Sequence, residues 1–359
     1  MKILDLLNDV KKNSVDYVPG GVPLPPIPAG IKKCKLDANE NQLGPSKKVV
    51  DALKAELDDM YNYPADQINI TREAVAKAIG FEKNNIVMGS GSSSLILAIA
   101  DMFFNPGDEM VISTPSYIAY SLLESRYGIT PVCVPNKDFA SDVHAMLDHI
   151  TDKTKIAVLV NPNNPTGAKV SNEDMCYFMD NVPDHVITVV DEAYYEWVND
   201  KNHMTMMDYV KKGKNVIVLR TFSKIYGLAG LRFGFAVTTK EIQEHLVKME
   251  FNYGANRLVL KAARFALEDH EYLAKSIENN TKGRTYLNQA LLDFGFDVVP
   301  SSTSFIYFDP HIDTQQLILD LNQHGVIIRR FGEQYVRVSI GLPEQNKQFV
   351  EALDNILHR

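Results

Sequence analysis

Val186-Ile-Thr-Val-Val190-Asp191-Glu-Ala-Tyr194 is the stretch on which the fold turns. A short run rich in Val and Ile, closed by a carboxylate, has the length and composition of a buried strand. Similar runs stand at 86–89, 110–112, 132–134, 156–160, 216–219 and 233–237, and most alternate with helical periodicity such as that of 92–104. Continuous apolar strands belong to sheets covered on both faces by helices, so the pattern predicts an α/β fold with a mostly parallel sheet. In such sheets ligands collect at the carboxyl ends of the strands, where Asp191 stands.

The large domain is expected over 35–245, with a smaller α+β lobe over 246–359. After the strands of the large domain, 241–293 reads as mainly helical. Strand-like stretches at 304–308 and 335–340 enclose a helical pattern at 314–324, and a last helix starts near Glu344. Residues 1–34 are expected to form a short helix and a Pro- and Gly-crowded arm packing with the smaller lobe.

The chain has 359 residues, enough to bury a core without disulfide or metal staples. Its 37 basic against 45 acidic side chains leave a net charge of −8. That balance argues against nucleic acid or an anionic membrane as partner, since both need a concentrated basic surface. Cys34, Cys133 and Cys176 are too few and too scattered for a disulfide framework or close-spaced zinc ligation. No apolar run is long enough to span a membrane and the N-terminal stretch is broken by Asp5, Asn8 and Asp9, so a cytoplasmic protein is expected.

The strongest chemical signal is Arg220-Thr-Phe-Ser-Lys224-Ile-Tyr-Gly-Leu-Ala-Gly-Leu-Arg232. A lone Ser-Lys is more often a basic loop. Placed after a buried strand, Lys224 can have its pKa lowered by desolvation and so attack an aldehyde. Ser223 and Arg232 can hold an anion beside it. Asp191 alone is more often a helix cap; beside such a lysine it can keep a pyridine nitrogen protonated, while Tyr194 bonds a ring oxygen.

Asn164, in Asn161-Pro-Asn-Asn-Pro-Thr-Gly167, ends another strand in a turn. Gly89-Ser-Gly-Ser-Ser-Ser94 opens a helix and reads as a cradle for one phosphate, since Ser94 replaces the third glycine of a dinucleotide fingerprint. Tyr117, in Thr114-Pro-Ser-Tyr, can lie flat on a ring.

Taken in order, these motifs resemble the fold-type-I pyridoxal-phosphate aminotransferases. Leu36-Asp-Ala-Asn-Glu-Asn-Gln-Leu-Gly-Pro45, Tyr63-Pro64 and the segment 325–346 make the chain similar to the histidinol-phosphate aminotransferase group. The resemblance implies pyridoxal 5'-phosphate as cofactor and Lys224 as its Schiff-base lysine and proton shuttle. It implies Asp191 at the ring nitrogen, Asn164 and Tyr194 at the ring oxygen, and Tyr117 stacked on the ring. The cofactor phosphate would meet Ser92, Ser93, Thr221, Ser223 and Arg232, with Tyr63 reaching in from the other subunit of a homodimer with shared active sites. Arg329 and Arg337, with Tyr17 from the arm, would clamp the phosphate of histidinol phosphate; 2-oxoglutarate, which becomes glutamate, would use the same arginines.

Ser93 and Ser94 depart from the acidic pair common in that group, Ser304 from an Asn and Gln42 from a Pro. All are expected near the phosphate cradle or the substrate entrance. An aromatic or broad-range aminotransferase and a threonine-phosphate decarboxylase stay open as rival readings. A non-enzymatic cofactor-sensing module fits less well, as the chain has no spare length for a DNA-binding extension.

Overall fold

The computed structural model describes residues 6, 8–13, 23–250 and 254–358. Strand β1 (Cys34–Lys35) leads to helices α1 (Lys47–Lys54) and α2 (Ala65–Ile79). Alternation then sets in with β2 (Ile86–Gly89), α3 (Ser92–Phe103), β3 (Glu109–Thr114), α4 (Ile118–Tyr127), β4 (Thr130–Pro135) and α5 (Val143–Asp148). It continues through β5 (Thr154–Val160), α6 (Asn172–Asn181), β6 (Ile187–Asp191), α7 (Met207–Lys211), β7 (Val216–Thr221) and β8 (Gly234–Thr238). Helices α8 (Lys240–Leu246), α9 (Arg257–Leu267) and α10 (His270–Asp293) follow. The chain closes with β9 (Asp297–Val298), β10 (Phe305–Asp309), α11 (Thr314–Gln323), β11 (Val326–Ile327), β12 (Arg329–Phe331), β13 (Tyr335–Ser339) and α12 (Pro343–Leu357).

Every apolar run of the large domain becomes a strand of one sheet, ordered β2-β8-β7-β6-β5-β3-β4. The neighbours from β7 to β4 are parallel, and β8 runs antiparallel to both β7 and β2. Successive side chains point to opposite faces. Val216 and Val218 enter one core with residues of α2, α6 and α9, while Ile217 and Leu219 enter a second with α3, α4 and α8. Both faces are dry, which is why the strands read as unbroken apolar runs.

The smaller lobe is an antiparallel sheet, β12-β13-β10-β9, with β1 pairing in parallel with β11 beside it. Along β13 Val336 and Val338 face a core shared with α10, α11 and α12, so Tyr335, Arg337 and Ser339 share the opposite face.

The expected boundaries move in three places. Helix α9 lies beyond residue 245 yet packs on α1 and α2, because Val259, Leu260, Ala262, Ala263 and Ala266 form a stripe that only the large core covers. Leu36, just inside the expected large domain, is buried in the smaller lobe's core with Cys34. Residues 8–13 pack on α4, with the Lys11 amine 4.5 Å from the Tyr127 ring centroid, rather than on the smaller lobe. The arm meets that lobe further on, where Leu24 packs on its core and the Pro25 carbonyl accepts from Asn322.

Gly283 lets α10 lie close to the end of β13. A Cβ there would stand 2.5 Å from Ile340 Cγ2 and 2.8 Å from Asn346 Nδ2, and Asn346 is pinned by two hydrogen bonds to Gly341. Replacing a helical glycine normally gains up to about 1 kcal/mol, but overpacking costs about 1–3 kcal/mol. Gly283→Ala is therefore expected to lower the midpoint of urea unfolding; a raised midpoint would contradict this packing.

Candidate active site

Three adjacent strand ends and the first turn of α3 converge at the carboxyl edge of the sheet. β6 ends in Asp191, β5 is followed by Asn164, and β7 ends in Thr221 just before Ser223 and Lys224. Together with Tyr194, Tyr117, Ser92, Ser93 and Arg232, these residues line a cavity of about 250 Å³. A wider cavity of about 810 Å³ shares Tyr117, Asn164, Tyr194 and Lys224 with it and carries Arg329, Phe331 and Arg337 on its far side.

The floor is an anion cradle. Gly91 precedes α3, no side chain caps that helix and its first turn has no acidic residue, so its first N–H groups face an anion site with the helix dipole behind them. Gly234 makes the approach possible: a Cβ there would lie 2.7 Å from the Ser92 nitrogen. Arg232 donates to Ser223 Oγ at 3.2 Å and to the Ala229 carbonyl at 3.0 Å from a left-handed backbone with φ of 58°. Thr221 Oγ1 accepts from the Ser223 N–H at 3.1 Å, which fixes the turn before Lys224.

Asp191 is buried and its carboxylate is held from two sides. Oδ1 accepts from the Ala193 N–H at 3.1 Å and Oδ2 from the Tyr120 hydroxyl at 3.1 Å. Burial pushes its pKa up to about 6, against the pull of those bonds and of Lys224. The Lys224 amine lies 3.4 Å from the Ala38 carbonyl and 3.5 Å from that of Asn39. Burial, reinforced by the Arg337 charge, lowers its pKa to about 8. A basic amine within reach of neutral pH can take a proton and give it back.

Arg329 and Arg337 are direct partners across β12 and β13. Phe331 lies under both guanidinium groups, 5.4 and 5.1 Å from its ring centroid. Such stacking holds two like charges side by side at the cavity mouth. Arg337 also donates to Asn164 Oδ1 at 2.5 Å and to the Asp37 carbonyl at 2.8 Å, which ties the anion clamp to the strand ends of the large domain.

Of the residues singled out from sequence, Tyr63 is not among those lining either cavity and is 76% exposed just before α2. Tyr17 lies outside the described residues. Three of the four departures line neither cavity. Gln42 bonds Lys35 and Gln345 at the joint of the lobes, and the buried Ser304 hydroxyl finds no partner among the described residues. Ser93 does line the cradle, its Oγ 3.4 Å from the Tyr117 hydroxyl, whereas Ser94 turns back to the Gly91 carbonyl.

Sequence reading missed Tyr120 and Asn39. Tyr120 stands three residues after Tyr117, which caps α4, and their ring centroids lie 6.2 Å apart; that spacing was the available signal. Asn39 sits in Asn39-Glu-Asn41 and has φ of 56°, a conformation that Asn tolerates better than most residues.

A phosphate cradle, a carboxylate at the far end and amide and phenol groups between them fit a flat phosphorylated pyridine whose aldehyde lies toward Lys224. The model of the class I and II aminotransferases matches residues 31–353. A histidinol-phosphate aminotransferase of Idiomarina loihiensis is 37% identical over 326 residues, covering 90% of this chain and 89% of that protein. One from Moorella thermoacetica is 38% identical over 349 residues, covering 95% and 90%. The crystal structure of histidinol-phosphate aminotransferase from Sinorhizobium meliloti in complex with pyridoxal-5'-phosphate superposes with a TM-score of 0.86 at 27% identity, covering 91% of each chain. This chain belongs to the class I and II aminotransferases, with the fold-type-I architecture expected of it.

The raised pKa of Asp191 has a cost in the absence of a ligand. An acid that binds its proton more tightly when folded loses stability as pH climbs from its ordinary 3.8 through about 6. Asp191→Asn keeps acceptor and donor positions for Ala193 and Tyr120 without the charge. Cofactor-free Asp191→Asn should be more stable than the cofactor-free parent at pH 7.5, on the order of 1–3 kcal/mol, and the gain should vanish near pH 4. Thermal unfolding at the two pH values tests this; equal stability at pH 7.5 contradicts it.

Proposed function

We propose that the chain transfers the amino group of L-histidinol phosphate to 2-oxoglutarate, giving imidazole acetol phosphate and glutamate, with pyridoxal 5'-phosphate held at Lys224. The observation that carries this reading is the facing pair Arg329 and Arg337 at the mouth of a cavity floored by Lys224. Two guanidinium forks match a phosphate on one substrate and a carboxylate on the other, so one pocket serves both half-reactions in turn. The names of the relatives above support the same substrate.

When bound, the cofactor supplies a protonated pyridine ring that draws electrons from the substrate carbon bearing the amine. The chain's own groups do the rest. Ser92, Ser93, Thr221, Ser223 and Arg232 receive the cofactor phosphate. Asp191 keeps a proton at the ring nitrogen; its own burial is relieved once a cation stands against it. Asn164 and Tyr194 meet the ring oxygen, and Tyr117 covers one face. Lys224 Nζ would take up the proton of the substrate carbon that bears the amine and hold it for return. Its pKa near 8 suits both directions.

The reading carries a cytoplasmic homodimer with it. Tyr63, exposed and outside its own cavity, is assigned to the active site of a second copy, where its hydroxyl joins the cofactor phosphate.

The purified protein loaded with pyridoxal 5'-phosphate should form glutamate from 2-oxoglutarate with histidinol phosphate as donor. Lys224→Ala should abolish the visible absorbance and cut turnover by about a thousandfold or more. Transfer from phenylalanine but not from histidinol phosphate, or carbon dioxide released from threonine phosphate, would overturn the substrate assignment. Arg337→Lys retains the charge and loses the fork. It should raise KM for both histidinol phosphate and 2-oxoglutarate about tenfold with kcat little changed; a rise for only one of them contradicts the shared clamp.

A further inference from the structure

The Asn39 side chain lies between the two lobes and is 2% exposed. Its backbone N–H donates to Ser339 Oγ at 2.9 Å. The Ser339 hydroxyl thus accepts from a group that can only donate, and it gives its own proton to Asn39 Oδ1 at 3.0 Å. With Oδ1 so engaged, Nδ2 faces the Tyr194 oxygen at 2.9 Å. An amide nitrogen can only donate there. The Tyr194 oxygen is therefore the acceptor, and its own proton has to leave in another direction. No acceptor for that proton occurs among the described residues, and Tyr194 lines the cavity that holds Lys224 and Asp191.

We infer that Asn39 is a positioning residue that aims the Tyr194 hydroxyl proton into the cavity, toward the ring oxygen of the bound cofactor. The inference rests on the cofactor reading above. As the bonds stand, the direction starts at a backbone N–H and passes through Ser339 and the amide; the reverse order would take Oδ1 away from the Ser339 proton. The left-handed backbone at Asn39, with φ of 56°, brings the amide to this point and turns the Ala38 and Asn39 carbonyls onto the Lys224 amine. Strain of this kind survives where surrounding contacts enforce it. Ser339 lies two residues beyond Arg337 on the same face of β13, so the strand that clamps the substrate anion also sets the phenol proton.

A proton aimed at the ring oxygen stabilises negative charge there and eases loss of the proton held between that oxygen and the lysine nitrogen. Without the donor, that proton is retained to higher pH. The charged groups facing Tyr194 and Lys224 are Asp191 from β6, Glu40 from the loop after β1, Arg232 before β8, Arg329 from β12 and Arg337 from β13. None of them is altered by the substitutions below.

The test is the pH midpoint of the visible absorbance of the cofactor-loaded protein, without substrate, in the parent, Asn39→Gly, Tyr194→Phe and the double variant. Glycine keeps the left-handed backbone and removes only the amide. Each single change should raise the midpoint, Tyr194→Phe by about one pH unit, as for one hydrogen bond to a charged group. The double variant should match Tyr194→Phe alone, a non-additivity that a merely structural role does not produce. A midpoint unmoved by either single variant, or shifts that add in the double, would overturn the proposal. Ser339→Ala, which frees the same amide without changing residues 37–40, is expected to shift the midpoint in the same direction and replaces Asn39→Gly should that variant not fold. If the parent shows no visible band, the cofactor reading fails and the proposal with it; a normal band with no shift overturns the proposal alone.

Discussion

The ion pair between Arg220 and Glu192 holds the site's two central strand ends together. Arg220 reaches Glu192 at 2.6 Å and Glu196 at 2.8 Å from the last turn of β7, while Thr205 and the Met206 N–H complete the shell around Glu192. The Tyr195 ring lies 3.8 Å from the guanidinium carbon. Each partner is one residue from a group that faces the cavity: Glu192 follows Asp191, and Arg220 precedes Thr221. Removing one partner of a buried pair costs about 3–5 kcal/mol, because the other is left charged and unpaired. Neither strand end can therefore shift alone, and the carboxylate keeps its place relative to the lysine loop.

Net charge described the chain as acidic, and over the whole surface it is. At the site the sign is reversed: Arg232 stands at the cradle, Lys224 beside it, and Arg329 and Arg337 at the mouth. The distribution matters because small anions are recognised by a few desolvated groups at close range, where screening is weak, rather than by the field of the whole molecule.

The strands of the large sheet were legible because both faces are buried and nothing polar interrupts the runs. The residues at their carboxyl ends were legible for the same reason, since a polar motif directly after an apolar strand stands out. Helix α9 was not, because its amphipathic stripe announces a helix but does not say which core will cover it. Asn39 and Tyr120 were missed on different grounds. Each acts on another side chain brought close by the fold, 155 residues away for Asn39 and Tyr194 and 71 for Tyr120 and Asp191. A pairing across that distance leaves no local pattern of its own; only the three-residue spacing from Tyr117 hinted at Tyr120. The departures at Gln42 and Ser304 show the converse. Gln42 is held at the lobe joint by Lys35 and Gln345, and Ser304 is buried one residue before Phe305, the ring over which Arg337 lies.

Asp191 and Lys224 are both shifted toward neutrality by burial, the acid up to about 6 and the amine down to about 8. Desolvation opposes charge of either sign, so one cause moves them in opposite directions. Neither shift favours the empty fold, since each measures a charged form that folding disfavours. What makes the arrangement useful is the placing of a flat cationic ring between them. On the proposed assignment such a ring would supply the counter-charge that Asp191 lacks, and a bond to Lys224 would remove the buried ammonium. The groups that weaken the empty protein are thus the ones that a correct ligand relieves. Stability lost at the strand ends returns as affinity for one particular shape and charge.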